Sequence, residues 1–143
     1  MFGSLDISAS GMIAQRMRMD VLSANIANAN TVLNESGQVD PYRRRIPLMA
    51  PGNPSAGSAQ GRSFGVHLAE VALDQAPPAV REFDPSSPLA YTSGPFKGYV
   101  AATNINTTFE QINAMEAMRA YEANLAAAEA TKQMAQAALR LLA

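Results

Sequence analysis

The sequence predicts a mainly α protein with a small β insert. Long N- and C-terminal helices pair as an antiparallel coiled coil around a short irregular or β-rich middle. Two observations predict it. All 9 prolines lie between Pro41 and Pro95, and of the 9 glycines only Gly3 and Gly11 precede Gly37 and none follows Gly98. Proline breaks helix interiors and glycine weakens them, so both ends of the chain are free to be helical and the centre is not. Both ends also carry apolar residues at coiled-coil spacing. The map has three parts: a helical arm over 1–34, a middle over 35–106 and a second helical arm over 107–143.

In the N-terminal arm Leu5, Met12, Met19 and Ile26 recur every seven residues, and Leu22 and Ala29 follow the last two by three. This is an a/d stripe broken by the polar Ser8 and Gln15. A helix from Leu5 to Thr31 would be about 40 Å long. Asn30-Thr31 and the turn-forming Asn34-Glu35-Ser36-Gly37 mark its expected end.

The middle holds short alternating segments. Phe64 to Leu68 is apolar at every second position, and Val71 and Leu73 resume the alternation out of phase, which predicts a β-bulge. Tyr99-Val100 and Tyr42 to Leu48 are weaker strand candidates. Residues 51–62 are rich in Gly, Ser, Ala and Pro and are expected to form a flexible loop.

The C-terminal arm has the stronger pattern. Ala114, Met118, Tyr121, Leu125, Ala128, Ala135, Leu139 and Leu142 follow steps of three and four, with Lys132 interrupting. Good helix formers fill most other positions. Thr107 or Thr108 is the expected N-cap, with Glu110 or Gln111 closing a capping box. The arm would be about 50 Å long. The small middle cannot cover two helices of this length, which turns part of their apolar surface toward other chains.

Composition narrows the function. The 143 residues suit one small domain, and the 48% hydrophobic content is carried by alanine and methionine without tryptophan. Alanine buries little area, so the core should be thin. A net charge of −1 argues against a nucleic-acid binder. Without cysteine there is no disulfide or thiolate site, a composition suited to crossing into an oxidising space. The N-terminus lacks a basic segment followed by an apolar run, so no Sec-type signal peptide is expected. No apolar run reaches transmembrane length, so no membrane insertion is expected.

Catalytic and cofactor chemistry find no support. His67 is the only histidine and sits in no nucleophile motif, so it reads as a solvent-facing strand residue. No metal-ligand cluster or phosphate-cradling glycine loop occurs. No cofactor and no enzymatic role are expected. Arg43-Arg44-Arg45 is the only charge run and reads as an exposed edge. Asn25, Asn28 and Asn30 are unusual near a helix end, because asparagine competes for backbone hydrogen bonds. They reflect either fraying or hydrogen bonds between helices that fix register.

These arms resemble the flagellar basal-body rod protein family. Ser4 to Thr31 is similar to its N-terminal signature, centred on Asp20-Val21-Leu22-Ser23-Ala24-Asn25-Ile26-Ala27-Asn28-Ala29-Asn30-Thr31. The common pattern has two adjacent asparagines where this chain has Ala24-Asn25. Ala117-Met118-Arg119-Ala120-Tyr121-Glu122-Ala123-Asn124 is similar to the family's closing motif. Gly65 to Leu68, Asp74, Phe83 to Ala90, Gly98-Tyr99-Val100 and Asn104-Ile105-Asn106 resemble its proximal-rod members, with Ser86-Ser87 standing where those usually have Gly-His.

The resemblance implies a structural subunit that self-assembles through its terminal helices and transmits torque. It implies type III export without a cleaved signal and assembly in the periplasmic rod. The implied partners are copies of the chain, other rod proteins, the export-gate-side adaptor and the surrounding rings. The candidate interface residues are Leu5, Met12, Met19, Leu22, Asn25, Ile26, Asn28 and Asn30 in the first arm. In the second they are Met118, Arg119, Tyr121, Asn124, Leu125, Leu139 and Leu142. A soluble coiled-coil adaptor and another axial rod protein are the alternatives.

Overall fold

The computed structural model describes residues 2–77 and 79–142. The elements are α1 (Phe2–Ala27), β1 (Arg45–Pro51), α2 (Ala59–Phe64), β2 (Val66–Leu73), β3 (Ala79–Phe83), β4 (Tyr99–Ala102) and α3 (Thr107–Leu142). The molecule is mainly helical, with α1 packed along α3 and a small antiparallel β region between them in sequence. The pair is antiparallel. Gly11 abuts Asn124, Arg18 Nη2 lies 3.7 Å from Glu116, and Asn25 binds Glu110, so α3 numbers fall as α1 numbers rise.

Helix α1 is the hub: it touches α3, β1, β2 and α2. It stops at Ala27, short of the expected Thr31. The reason is local. Asn28 N donates the last i−4 bond to Ala24 O, the Asn28 side chain folds back onto the same carbonyl, and Thr31 N then donates only to Asn28 O. Asparagine thus diverts the backbone into a turn.

Helix α3 starts one residue earlier than a threonine cap would allow. The cap is Asn106, whose Oδ1 accepts from the N–H groups of Thr108 and Phe109 at 3.0 and 3.3 Å. Asparagine ranks with the best N-caps because its oxygen reaches these free donors. Glu110 is therefore released from the expected capping box and turns inward.

The β region is two separate two-stranded antiparallel sheets, β1–β2 and β3–β4. In the first, Leu48 pairs with Glu70 but Met49 with Leu68, so Ala69 is bulged out where the apolar alternation changes phase. Strand β3 was not anticipated. It pairs with β4 through a second irregularity, and Phe83 meets Tyr99 edge-on at 5.2 Å. The backbone of Gly98 turns beside them at φ 84°, where any Cβ would strike the Phe83 ring.

Residues 51–62, expected as a loop, contain most of α2. Ser58 caps it, accepting from Gly61 N at 3.0 Å, and its own N–H is held by Asp6 of α1 at 3.0 Å. Gly61 is buried, with Asp6 Cβ 2.9 Å from where its own Cβ would stand. A small residue here, rather than an apolar period, lets the helix dock, which hid it from a pattern search.

The core is thin. Apart from Leu22, the buried apolar residues among those described are Ala14, Ala90, Ala101, Ala102 and Ala117.

Candidate assembly interface

The seam between α1 and α3 is lined by small residues. Gly11 and Ala14 of α1 are buried, as is Ala117 of α3, with Ala114, Tyr121, Asn124 and Ala128 half-buried on the same face. Small side chains bring the two backbones close. A Cβ on Gly11 would lie 2.7 Å from Asn124 Oδ1, well inside contact distance.

The lower end of the seam is polar. Asn25 is fully buried. Its Nδ2 donates to Glu110 Oε2 at 2.7 Å and to Arg45 O at 2.8 Å, and its Oδ1 accepts from Arg45 N at 2.9 Å. Glu110, also fully buried, takes a second bond from Arg44 Nε at 2.7 Å. Arg44 also lies 3.8 Å from Asp74, and its N–H donates to Asn104 Oδ1. One network thus joins α1, β1 and its neighbour, the end of β2, and α3. A buried carboxylate is tolerable only with such partners.

Arg44 and Glu110 are the functional residues that sequence reasoning missed. Arg44 was read as part of an exposed run. Arg43 and Arg45 do stand exposed, with Arg45 stacked over the Tyr42 ring at 5.5 Å, but strand alternation turns Arg44 inward. Glu110 carried a signal: it falls four residues before Ala114 and seven before Ala117, on the seam face.

The uncovered parts of α3 have the opposite character. Ile112, Met115, Met118, Leu125, Met134 and Leu139 are all exposed, Met118 by 55%, Leu125 by 41% and Leu139 by 67%. The register places the start of α1 near Thr131 to Met134, so the last turns of α3 project past it. Met118 and Leu125 flank the seam and stand open to solvent, whereas Leu139, five turns on from Tyr121, lies on the seam face and is uncovered because α1 ends before it.

The anticipated interface residues therefore fall into three groups. Leu22 and Asn25 are buried within the chain. Leu5, Met12, Met19, Ile26, Asn28, Tyr121 and Asn124 are half-buried, and Asn28 and Asn124 each donate to the carbonyl four residues back. Asn30, Met118, Arg119, Leu125 and Leu139 are exposed. Leu142 closes α3, and its side chain lies outside the described residues.

His67 is not solvent-facing as expected. It is half-buried, with Nδ1 2.6 Å from Gly52 O, a bond from β2 to the bend that follows β1. Among the described residues no three His, Cys, Asp or Glu side chains gather as a metal group, and no helix is long and apolar enough to cross a membrane. The wider grooves, of about 580 and 540 Å³, are walled by residues such as Leu33, Tyr42 and Arg43 in one and Phe83, Pro88 and Tyr91 in the other. Burial raises the Tyr91 phenol above its ordinary value. At Asp84 the hydroxyl and N–H of Ser86 hold the carboxyl below its ordinary value, stabilising the turn after β3.

Comparison with known proteins agrees with this architecture. Residues 5–32 match the family model described as flagella basal body rod protein. Residues 97–141 match that described as flagellar basal body rod FlgEFG protein C-terminal. These are the helical regions and the strand leading into α3. Flagellar basal-body rod protein FlgC of Borreliella burgdorferi is 36% identical over 151 positions, covering 99% of this chain and 97% of the relative. That of Escherichia coli is 36% identical over 129 positions, covering 90% and 88%. That of Bacillus subtilis is 33% identical over 150 positions, covering 98% and 97%.

Proposed function

The chain belongs to the flagellar basal-body rod protein FlgC family, and on that premise we propose how it assembles: the exposed apolar residues of α3, along its flank and on its uncovered C-terminal end, are its contact with neighbouring subunits. The chain is a structural subunit of the proximal rod of the flagellar basal body, and it works there with other rod components.

One observation carries the proposed contact. Along α3 the helix pair covers Ala117 and leaves large residues open, so Met118, Leu125 and Leu139 stand in water on an otherwise well-formed helix. Large apolar side chains clustered in water mark an interaction surface, and here they lie on both sides of Lys132. A rod is an open assembly, which needs head-to-tail contacts that do not close on themselves. A long helix face suits that geometry, because it overlaps more than one neighbour and spreads shear over many contacts.

The role is non-catalytic. Export proceeds without a cleaved signal peptide, and the subunit is placed in the periplasmic rod between the export-gate-side adaptor and the distal-rod proteins, inside the rings. Copies of the chain contact one another as well as these partners. Thin packing and the lack of cysteine fit passage through a narrow export channel into an oxidising space.

Leu125→Asp tests the contact. The monomer should keep its fold, since residue 125 is on the water side, while incorporation into basal bodies and motility should be lost. Normal rods built from this variant would contradict the assignment. A discrete, stoichiometric complex with a single partner, and no polymer, would favour the adaptor reading.

A further inference from the structure

Away from the Asn25–Glu110 network the seam of the helix pair is lined mostly by small residues, and that raises the question of what chooses its register. Along α1, Gly11, Arg18 and Asn25 recur every seven residues. Along α3, Ala114, Tyr121 and Ala128 do so, as do Ala117, Asn124 and Thr131. A slide of one heptad would bring Ala117 or Thr131 to Gly11 in place of Asn124, which the gap at Gly11 also admits. Burial alone therefore discriminates poorly between registers.

We propose that Glu110 and Asn124 of α3 are register keys, reading Asn25 and Gly11 of α1, and that they thereby fix how far α3 projects beyond α1. Each key fits one place. Glu110 is fully buried and takes its bond from Asn25 at 2.7 Å, while Arg44 closes the other oxygen. After a one-heptad slide the carboxylate loses Asn25 and faces either Arg18 or the turn beyond the end of α1, about 10 Å from its present place, so the joint bonds among Asn25, Arg44 and Glu110 are not remade. Asn124 stands where a Cβ on Gly11 would collide, at 2.7 Å, so it faces the one position in that stretch of α1 without a side chain. A buried ion pair adds little net stability over an apolar replacement, but a mismatched one excludes its register. A single polar residue in a helical seam acts in this way in coiled coils.

The consequence is length. One heptad is about 10 Å of helix, so a slide would move Leu139 and the exposed tail of α3 by that distance. The consequence for assembly rests on the rod-subunit reading. The register does not, and it is measured on the monomer; incorporation into basal bodies tests the other reading separately.

The chain has no cysteine, so an introduced pair is unique. Asp20→Cys and Glu129→Cys, both at exposed positions, take nitroxide labels whose separation is read by pulsed electron resonance. Their offset along the seam is about 20 Å, so a slide changes the distance nearly one for one. The otherwise native chain should give one narrow distance. Adding Glu110→Leu and Asn124→Ala should leave the helical circular-dichroism signal and introduce a second population displaced by about 10 Å. A single unchanged distance with the helices intact would overturn the proposal. Loss of the helical signal would overturn it too, because the two residues would then be needed for pairing itself and not for its register.

Discussion

The side-chain amide of Asn25 pairs with both backbone polar groups of Arg45, as a neighbouring strand would: Nδ2 donates to the carbonyl at 2.8 Å and Oδ1 accepts from the N–H at 2.9 Å. The start of β1 is thereby attached to a helix. With its third bond, to Glu110, the same side chain ties α1 to α3. Asn25→Ala removes these three, and the longer 3.5 Å bond that Oδ1 accepts from Tyr42 Oη, at a fully buried position. Each unsatisfied group costs about 1–3 kcal/mol, so a loss of about 2 kcal/mol or more is expected in urea unfolding. Asn30 is exposed, and Asn30→Ala should stay within about 0.5 kcal/mol of the unaltered chain. Equal losses would show that the two asparagines are interchangeable helix-end residues.

Gly11 and Asn124 should behave as a coupled pair. Alanine is favoured over glycine inside a helix by about 1 kcal/mol. Gly11→Ala nevertheless places its Cβ against the Asn124 amide, which is itself bonded to Ala120 O at 2.8 Å. The substitution should bring no gain in the native background. It should stabilise by about 1 kcal/mol once Asn124→Ala has cleared the space. A double-mutant cycle by thermal unfolding measures this, and additive effects would remove the steric argument.

The docking of α2 on α1 depends on Gly61. Gly61→Val would drive methyl groups into Ala56, Asp6 and Ser58, and should destabilise by about 1–3 kcal/mol. Ser55→Ala, at an exposed position in the same segment, should change little. Limited proteolysis near residue 60, compared between the two variants, checks the difference.

Much of this was legible in the sequence because helix signals are local. The segregation of proline, the heptad spacing and the out-of-phase alternation at Val71 placed the two helices and the bulged strand. What stayed hidden depends on partners distant in sequence. Glu110 looks like a capping residue until Asn25 and Arg44 meet it across the fold. Strand β3 is short and mostly exposed, so it shows little alternation. The stripes of large residues were legible, but their direction was not. Gly11, Ala14 and Ala117 form the inner seam, and this sends Met118 and Leu125 outward.

The outward direction can be tested without an assembly. Met118→Asp, at a position 55% exposed, should shift monomer stability by no more than about 0.5 kcal/mol. Leu22→Asp, at a position 2% exposed, should prevent folding. Circular dichroism and urea titration of the purified chains decide between them. A large loss from Met118→Asp would mean that the free monomer covers that face itself.

The central claim is that the exposed apolar residues of α3 join this subunit to its neighbours in the rod. Electron cryo-microscopy of intact basal bodies, with this chain traced in the density, tests it most directly. The account predicts Met118, Leu125 and Leu139 packed against side chains of adjacent subunits, with Asn25, Arg44 and Glu110 still bonded to one another within the chain. A traced rod in which those three apolar side chains face solvent, and neighbours meet only through the β region, would contradict it.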